Sequence, residues 1–231
     1  MANRRSLRMY WNLGDGPWRT RGRFLSKWTR RGVVAFYLSE AFDRNHDLHM
    51  WARKHGFAMY EGDGTPGSKE TIALIKLGTK PSHTRRTVAL SPTVDAGAGA
   101  GPDRQGAKAA HLIGIHGCLD VATHLVPSGT WSQPRANLHH RQTRALIDAL
   151  QPAIARRPVR IFLDANCPPS SALMDGFRDA GLTQIVHAQT HKTGQPDHVW
   201  VNRAAFQRTP TVWAIGSPSD HRAIIVEDKK P

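Results

Sequence analysis

Asp164 and Asn166 stand two residues apart at the end of Arg160-Ile161-Phe162-Leu163, just before Cys167-Pro168-Pro169. Four residues suited to a buried strand thus run into an acid, a small residue, an amide and a Pro-Pro stop, which places the acid and the amide in a tight turn. In a layered α/β protein, polar groups at that end of a buried strand face a cleft, because burying them without partners is costly. Taken alone, D-x-N is better explained by a helix cap and an Asx turn. The other strand ends of the chain reverse that preference.

Leu7 to Gly14 reads as an N-terminal strand with Asn12 at its end, and Val33 to Glu40 as a continuous apolar strand ending on Glu40. Between them Gly22 to Arg31 has a basic, amphipathic, helical pattern. His46 to His55 reads as a helix stopped by Gly56, and Phe57–Tyr60 and Thr71–Leu77 as strands, with Val88–Ser91 following. The Gly/Ala-rich stretch 96–109 is expected to be a flexible surface loop inside a single domain spanning residues 1–231. His111–His116 and Leu119–Leu125 form a strand pair carrying His116, Asp120 and His124, and Arg135–Ala155 a helix with one apolar and one basic face. After the Asp164 strand come a short helix over 170–180 and strands at Asp197–Val201, Thr211–Ile215 and Ala223–Val226. The last of these is entered through Asp220 and His221. The strand ends thus supply Asn12, Glu40, His124, Asp164, Asn166, Asp197, Asp220 and His221, and no internal repeat is visible in this order.

Bulk composition narrows the partners. The 231 residues hold 32 Lys plus Arg against 18 Asp plus Glu, a formal charge of +14, and such a field attracts polyanions. Arg predominates over Lys, which suits bidentate phosphate contacts. No apolar run is long enough to span a bilayer, and no apolar segment follows Arg4, Arg5 and Arg8 as a secretory signal requires. The expectation is a cytoplasmic monomer that binds nucleic acid and no membrane; the compact, Arg-rich chain also suits a phage protein working in a bacterial host. Cys118 and Cys167 make no disulfide framework, although a single bridge stays open. His116 with Asp120, and His139 with His140, lack partners at zinc spacing. His139 and His140 fall instead on the basic helix face with Arg135, Arg141 and Arg144, a backbone-phosphate patch. For Trp18, Trp28, Trp51 and Trp131, core packing is favoured over base stacking.

In order and local context the chain resembles the endonuclease/exonuclease/phosphatase superfamily, typified by deoxyribonuclease I and exonuclease III. The matching blocks are W-N-L-G at 11–14, L-S-E at 38–40, T-H-L-V-P at 123–127, L-D-A-N at 163–166, D-H-V-W-V at 197–201 and S-D-H at 219–221. Each block alone is weak; six in the family's order span nearly the whole chain. The resemblance implies an α/β (α+β) fold, a four-layer sandwich of two mostly antiparallel sheets packed face to face with helices outside. It implies a metal-dependent phosphodiesterase, a nuclease cutting DNA by Mg²⁺-assisted (or Mn²⁺-assisted) water attack. Glu40 would hold the metal with Asn12 beside it and Asp220 contributing. Asp164 would orient or deprotonate the water, Asn166 position it, His221 (held by Asp197) contact the phosphate, and His124 face the phosphate from the other side. The same residue set serves phosphatases and phosphodiesterases of RNA, phosphoinositides or lipids, and a non-catalytic nucleic-acid-binding protein on this fold is the alternative of another class. Ala165 replaces the family's usual Phe, Ser39 its usual Gln, and His124 matches the deoxyribonuclease I branch rather than the Tyr of apurinic-site endonucleases.

Overall fold

The computed structural model describes residues 6–14, 16–41, 45–62, 64–65, 68–79, 81–91, 108–126, 133–208 and 211–228. In chain order the strands are β1 (Ser6–Asn12), β2 (Val33–Ser39), β3 (Phe57–Tyr60), β4 (Thr71–Lys76), β5 (Pro81–Ser91) and β6 (Lys108–Ile115). They continue with β7 (Cys118–His124), β8 (Val159–Asp164), β9 (Thr183–Gln184), β10 (Asp197–Val201), β11 (Thr211–Ile215) and β12 (Ala223–Asp228). The helices are α1 (Trp18–Arg30), α2 (Asn45–His55), α3 (Gln133–Ile154), α4 (Asp175–Asp179) and α5 (Arg203–Phe206). Helix α1 begins four residues before the periodicity suggests, and β5 extends well ahead of Val88. Lys108 and Ala109, expected in a loop, open β6 and are buried; residues 96–107 and Trp131 lie outside the described residues.

Two six-stranded sheets result, β11-β12-β1-β2-β4-β3 and β5-β6-β7-β8-β10-β9. In each sheet one parallel pair (β1/β2, β7/β8) sits among antiparallel neighbours. The parallel strands are joined through α1 in one sheet and α3 in the other, since a parallel connection needs a crossover. The two sheets repeat one pattern, a similarity of halves that the sequence does not display.

Alternation along the strands builds the layers. Leu7, Met9 and Trp11 of β1 point outward into a core with Leu25 and Trp28 of α1 and Leu48 and Trp51 of α2. Leu119 and Val121 of β7 and Ile161 and Leu163 of β8 pack against Leu146, Ile147 and Leu150 of α3. Between the sheets, Tyr10, Ala35 and Tyr37 meet Ala122, Phe162 and Val199, with the Tyr37 and Phe162 rings stacked at 4.8 Å. The order is α/β/β/α, the expected four-layer sandwich. Cys118 faces the inter-sheet layer and Cys167 the α3 layer; both are free, so the bridge left open does not form.

The inward positions of three strands share one rhythm: Arg8-Tyr10-Asn12, Asp120-Ala122-His124 and Arg160-Phe162-Asp164. Their first members form a buried ionic cluster in which Arg8 and Arg160 both bind Asp120 and Asp228, and the Tyr37 hydroxyl donates to Asp120 at 2.6 Å. Burial would raise the pKa of Asp120, but the two guanidinium groups outweigh it and lower the value. This is what Asp120 does. Their last members, Asn12, His124 and Asp164, emerge together at the far edge.

Candidate active site

Strand direction explains why seven side chains meet at that edge. The C-terminal ends of the parallel pairs deliver Asn12 and Glu40 from one sheet and His124 and Asp164 from the other. Strands antiparallel to these pairs start where they end, so Glu70 before β4, Asp197 opening β10 and His221 before β12 arrive at the same place.

Asn12 and Asp164 join the sheets. The Asn12 amide Nδ2 donates to Asp164 Oδ2 at 2.8 Å and to Glu40 Oε1 at 3.0 Å, and its Oδ1 accepts from Gly14 N at 2.8 Å. Asp164 mirrors this turn by accepting from Asn166 N through Oδ1 at 2.8 Å. The Asx turn that local sequence favours therefore exists and uses one carboxylate oxygen, while the other faces the site. Glu40 (φ 53°) and Asn166 (φ 52°) both adopt left-handed backbone, a conformation that non-glycine residues hold only when the surroundings impose it. Gly14 (φ 51°) shares this left-handed backbone, and a Cβ there would stand 2.5 Å from Asp220 Oδ1.

The histidines flank Asp164. His124 lies with Nδ1 2.9 Å from Glu70 Oε1 and Nε2 2.9 Å from the Asn166 amide, and Asn166 also donates to the Leu125 carbonyl at 2.9 Å. His221 holds Asp197 Oδ2 through Nδ1 at 2.8 Å and stands 3.9 Å from Asp164 Oδ2. Burial alone would lower the pKa of His221; the hydrogen bond and charge of Asp197, with the charges of Asp164 and Asp220, outweigh it and raise the value to about 9. Burial and the charge of Asp164 push Asp197 up to about 7, below the value of about 9 for His221, so the imidazole is the last of the pair to give up its proton as pH rises. Burial opposes ionisation of Asp164 too. His124, His221, the Asn12 amide and the Asn166 N–H overcome it and hold the carboxyl below its usual value.

Some expected residues are placed differently. Asp220 is exposed and groups with His191 and His221, with Oδ2 3.3 Å from His191 Nε2. His139 is fully buried in α3, beside Gln142 and Thr143 on the inner face, and lies 2.7 Å from the Ala165 carbonyl beneath the Asp164 turn. The apolar stripe of α3 contains these polar residues, so His139 leaves the phosphate patch; His140 and Arg141 stay exposed. Arg144 is exposed and 3.9 Å from Asp148, and Arg135 lies in the first turn of α3.

Sequence reasoning missed three contributors. Glu70, ion-paired to buried Lys108 and close to His124, has its carboxyl lowered to about 2, because its interactions with His124 and Lys108 overcome the penalty of burial. Thr190 Oγ1 accepts from Asp197 N at 3.1 Å, and the His191 ring packs on His221 at 4.8 Å. Only Glu70 carries a usable signal: an acid immediately before a strand antiparallel to β2 must reach the edge where Glu40 sits.

Glu40, His124 and Asp164 each offer a ligand atom within 4.8 Å of the others, as do Asp164, Asp197 and His221, and His191, Asp220 and His221. A carboxylate-rich set of the first kind fits a hard divalent cation.

Neither protein-family models nor curated proteins match this sequence. Solved structures do match the fold. The endonuclease/exonuclease/phosphatase from Bacteroides vulgatus superposes with a TM-score of 0.72 at 13% identity, covering 96% of this chain and 98% of that one. The 3′ phosphatase NExo from Neisseria, bound to a product DNA hairpin, gives 0.70 at 13% identity, over 97% and 99% of the two chains. The mannosyl-6-phosphatase Bt3783 of Bacteroides thetaiotaomicron gives 0.69 at 13% identity, again over 97% and 99%.

Proposed function

We propose that this chain, which has the endonuclease/exonuclease/phosphatase fold, is a Mg²⁺- or Mn²⁺-dependent phosphodiesterase that hydrolyses nucleic acid, DNA before other substrates. The observation that carries the reading is the junction of Asn12, Glu40 and Asp164 beside a proton-bearing His221–Asp197 pair. The matched structures include enzymes of DNA and of a sugar phosphate, so the fold leaves the substrate open. The charge of +14 turns the choice to a polyanion.

Glu40 would hold the cation, with Asp164 and His124 within reach, and Asn12 fixes the two carboxylates through its Nδ2. When bound, a divalent ion offsets negative charge on the phosphate and on the leaving oxygen. Asp164, ionised at neutral pH, accepts a hydrogen bond from the attacking water, and Asn166 lies beside it to position that water. His221 donates a charge-assisted hydrogen bond to the phosphate from Nε2, because Asp197 occupies Nδ1. His124, steered by Glu70, lines the opposite side.

A supercoiled-plasmid assay tests this. Wild-type protein with Mg²⁺ nicks or linearises the plasmid, EDTA stops it, and Asp164→Asn loses at least ~10²-fold of the rate while keeping its fold and its DNA binding. Retardation without cutting would favour the non-catalytic alternative. Neither binding nor cutting would redirect the search to RNA, phosphoinositides or other lipids. Cutting by Asp164→Asn at the wild-type rate would overturn the mechanism.

A further inference from the structure

Helix α1 sends Gly22, Leu25 and Trp28 into the core, so the positions between them face out. Four of those carry cations: Arg19, Arg23, Lys27 and Arg30, all exposed. They recur at intervals of three or four residues, one step per ~6 Å along ~16 Å of helix. Helix α2 lies alongside in the same direction. The Trp51 indole donates to the Gly22 carbonyl at 3.2 Å and to Ser26 Oγ at 3.0 Å, and His55 meets Ser26 at 3.1 Å. The groove between the helices encloses about 740 Å³. The four α1 cations and Lys54 line it against a single carboxylate, Asp47.

Among the described residues none of these five cations is in an ion pair. Some basic groups elsewhere are held in ion pairs, Arg8 and Arg160 with Asp120, Lys108 with Glu70 and Arg178 with Asp175, while others such as Arg141, Arg156 and Arg203 stay exposed singly rather than lining one channel. The local field is felt by His55, whose pKa burial and the charges of Lys54, Lys76 and Arg30 lower. The floor is aromatic, with Trp51 packed on His55 at 4.6 Å, while half-buried Trp18 and largely exposed Met50 form the rim. Both helices start just beyond site residues, α1 after Asn12 and α2 after Glu40, so the groove leads away from the active edge.

We infer that the α1–α2 groove is a second binding site, a track for the phosphate backbone of a nucleic-acid strand whose scissile bond lies at the active edge. Five unpaired cations in a concave channel complement a strand carrying one phosphate per ~3.4 Å, about five phosphates over this length. Trp18 and Met50 offer apolar faces to unstacked bases. An anionic membrane suits the groove less, since Met50 is the one largely exposed apolar residue in its lining and offers little to insert. The track lies on the outer layer opposite α3, so it is separate from Arg141 and Arg144.

The inference rests on the nuclease reading only in choosing nucleic acid among polyanions, and its test avoids turnover. Asp164→Asn protein is titrated into fluorescein-labelled 30-mers, single-stranded and duplex, by anisotropy across a salt series. Adding Arg23→Glu/Lys27→Glu should weaken binding at least ~10-fold at 0.1 M salt and reduce the slope of log K against log salt by ~1.4 for single strands. The charge-matched control Arg156→Glu/Arg203→Glu, at exposed positions elsewhere, should change affinity by less than ~3-fold, and all proteins should melt alike. Equal loss in both double variants, no loss in the groove variant, or no binding by the parent overturns the track. Groove-dependent binding of phosphatidylserine vesicles without binding of the 30-mers overturns its occupant. Metal-dependent hydrolysis of bis(p-nitrophenyl) phosphate by wild type is read separately, so failure of the track leaves the hydrolase reading standing.

Discussion

Replacing Asp197 by Asn tests the proton inventory of the site. Asp197 is fully buried, accepts from His221 Nδ1 at 2.8 Å and is the chief cause of the imidazole's rise to about 9. Asparagine keeps the shape and an acceptor oxygen but removes the charge, so the imidazole should fall toward its ordinary ~6.5. At pH 8 a group of pKa about 9 is ~90% protonated and one near 6.5 only ~3%, so a reaction needing His221 in its acid form slows by up to ~30-fold. At pH 6 both proteins are largely protonated and the deficit shrinks to less than ~2-fold. Asp164 and Asp220 remain, so some of the shift survives and ~30-fold is the ceiling. The assays are the pH–rate profile of oligonucleotide cleavage and an NMR titration of the His221 ring, the second of which needs no substrate. In wild type activity persists through neutrality and falls as pH rises through about 9; in the variant the same limb moves down by up to ~2.5 units. An unmoved titration, or a rate deficit equal at pH 6 and pH 8, would refute the assignment of the proton to His221.

Glu70→Gln should cost ~3 kcal/mol of stability at pH 7, because it leaves Lys108 buried and unpaired; the wild-type carboxyl is lowered, so its contribution is present above the ordinary Glu pKa and fades as pH falls toward about 2. Urea unfolding at pH 7 and pH 3 checks this, and equal losses at both would contradict it. Asp120→Asn strips Arg8 and Arg160 of a shared partner and should cost ~3–5 kcal/mol without touching the active edge; a melting temperature within ~2 °C of wild type would show that Asp228 alone suffices. Glu40→Gln should raise the Mg²⁺ concentration needed for half-maximal cleavage by at least ~10-fold, followed by metal titration, whereas an unchanged requirement would move the cation away from Glu40.

The fold was legible in sequence to the degree that its signals are local. Apolar runs ending on Asn12, Glu40 and Asp164, and one opening on Asp197, marked strand ends, because alternation and turn residues act over a few positions, and Gly56, Gly117 and Gly181 adopt the left-handed backbone that closes their elements. The order of the six motif blocks carried the sandwich and its layers. Where a reading failed, a local signal was ambiguous. His139 joined the basic face of α3 because a histidine beside Arg141 reads as polar surface, and only packing against the Ala165 turn shows it inside.

What the sequence could not determine is which charged residue meets which. Asn12 and Asp164 are 152 residues apart and lie in different sheets, and Glu70 and Lys108 are 38 apart, with β4 and β5 between them. Opposite charges are interchangeable along a chain, and their pairing is fixed only when strand register and sheet packing bring particular ones together away from water. Composition determined that this protein is basic. The tertiary structure decided which cations are consumed in buried pairs and which, along α1, are left to face solvent, because burial of a charge demands a partner and an exposed one does not.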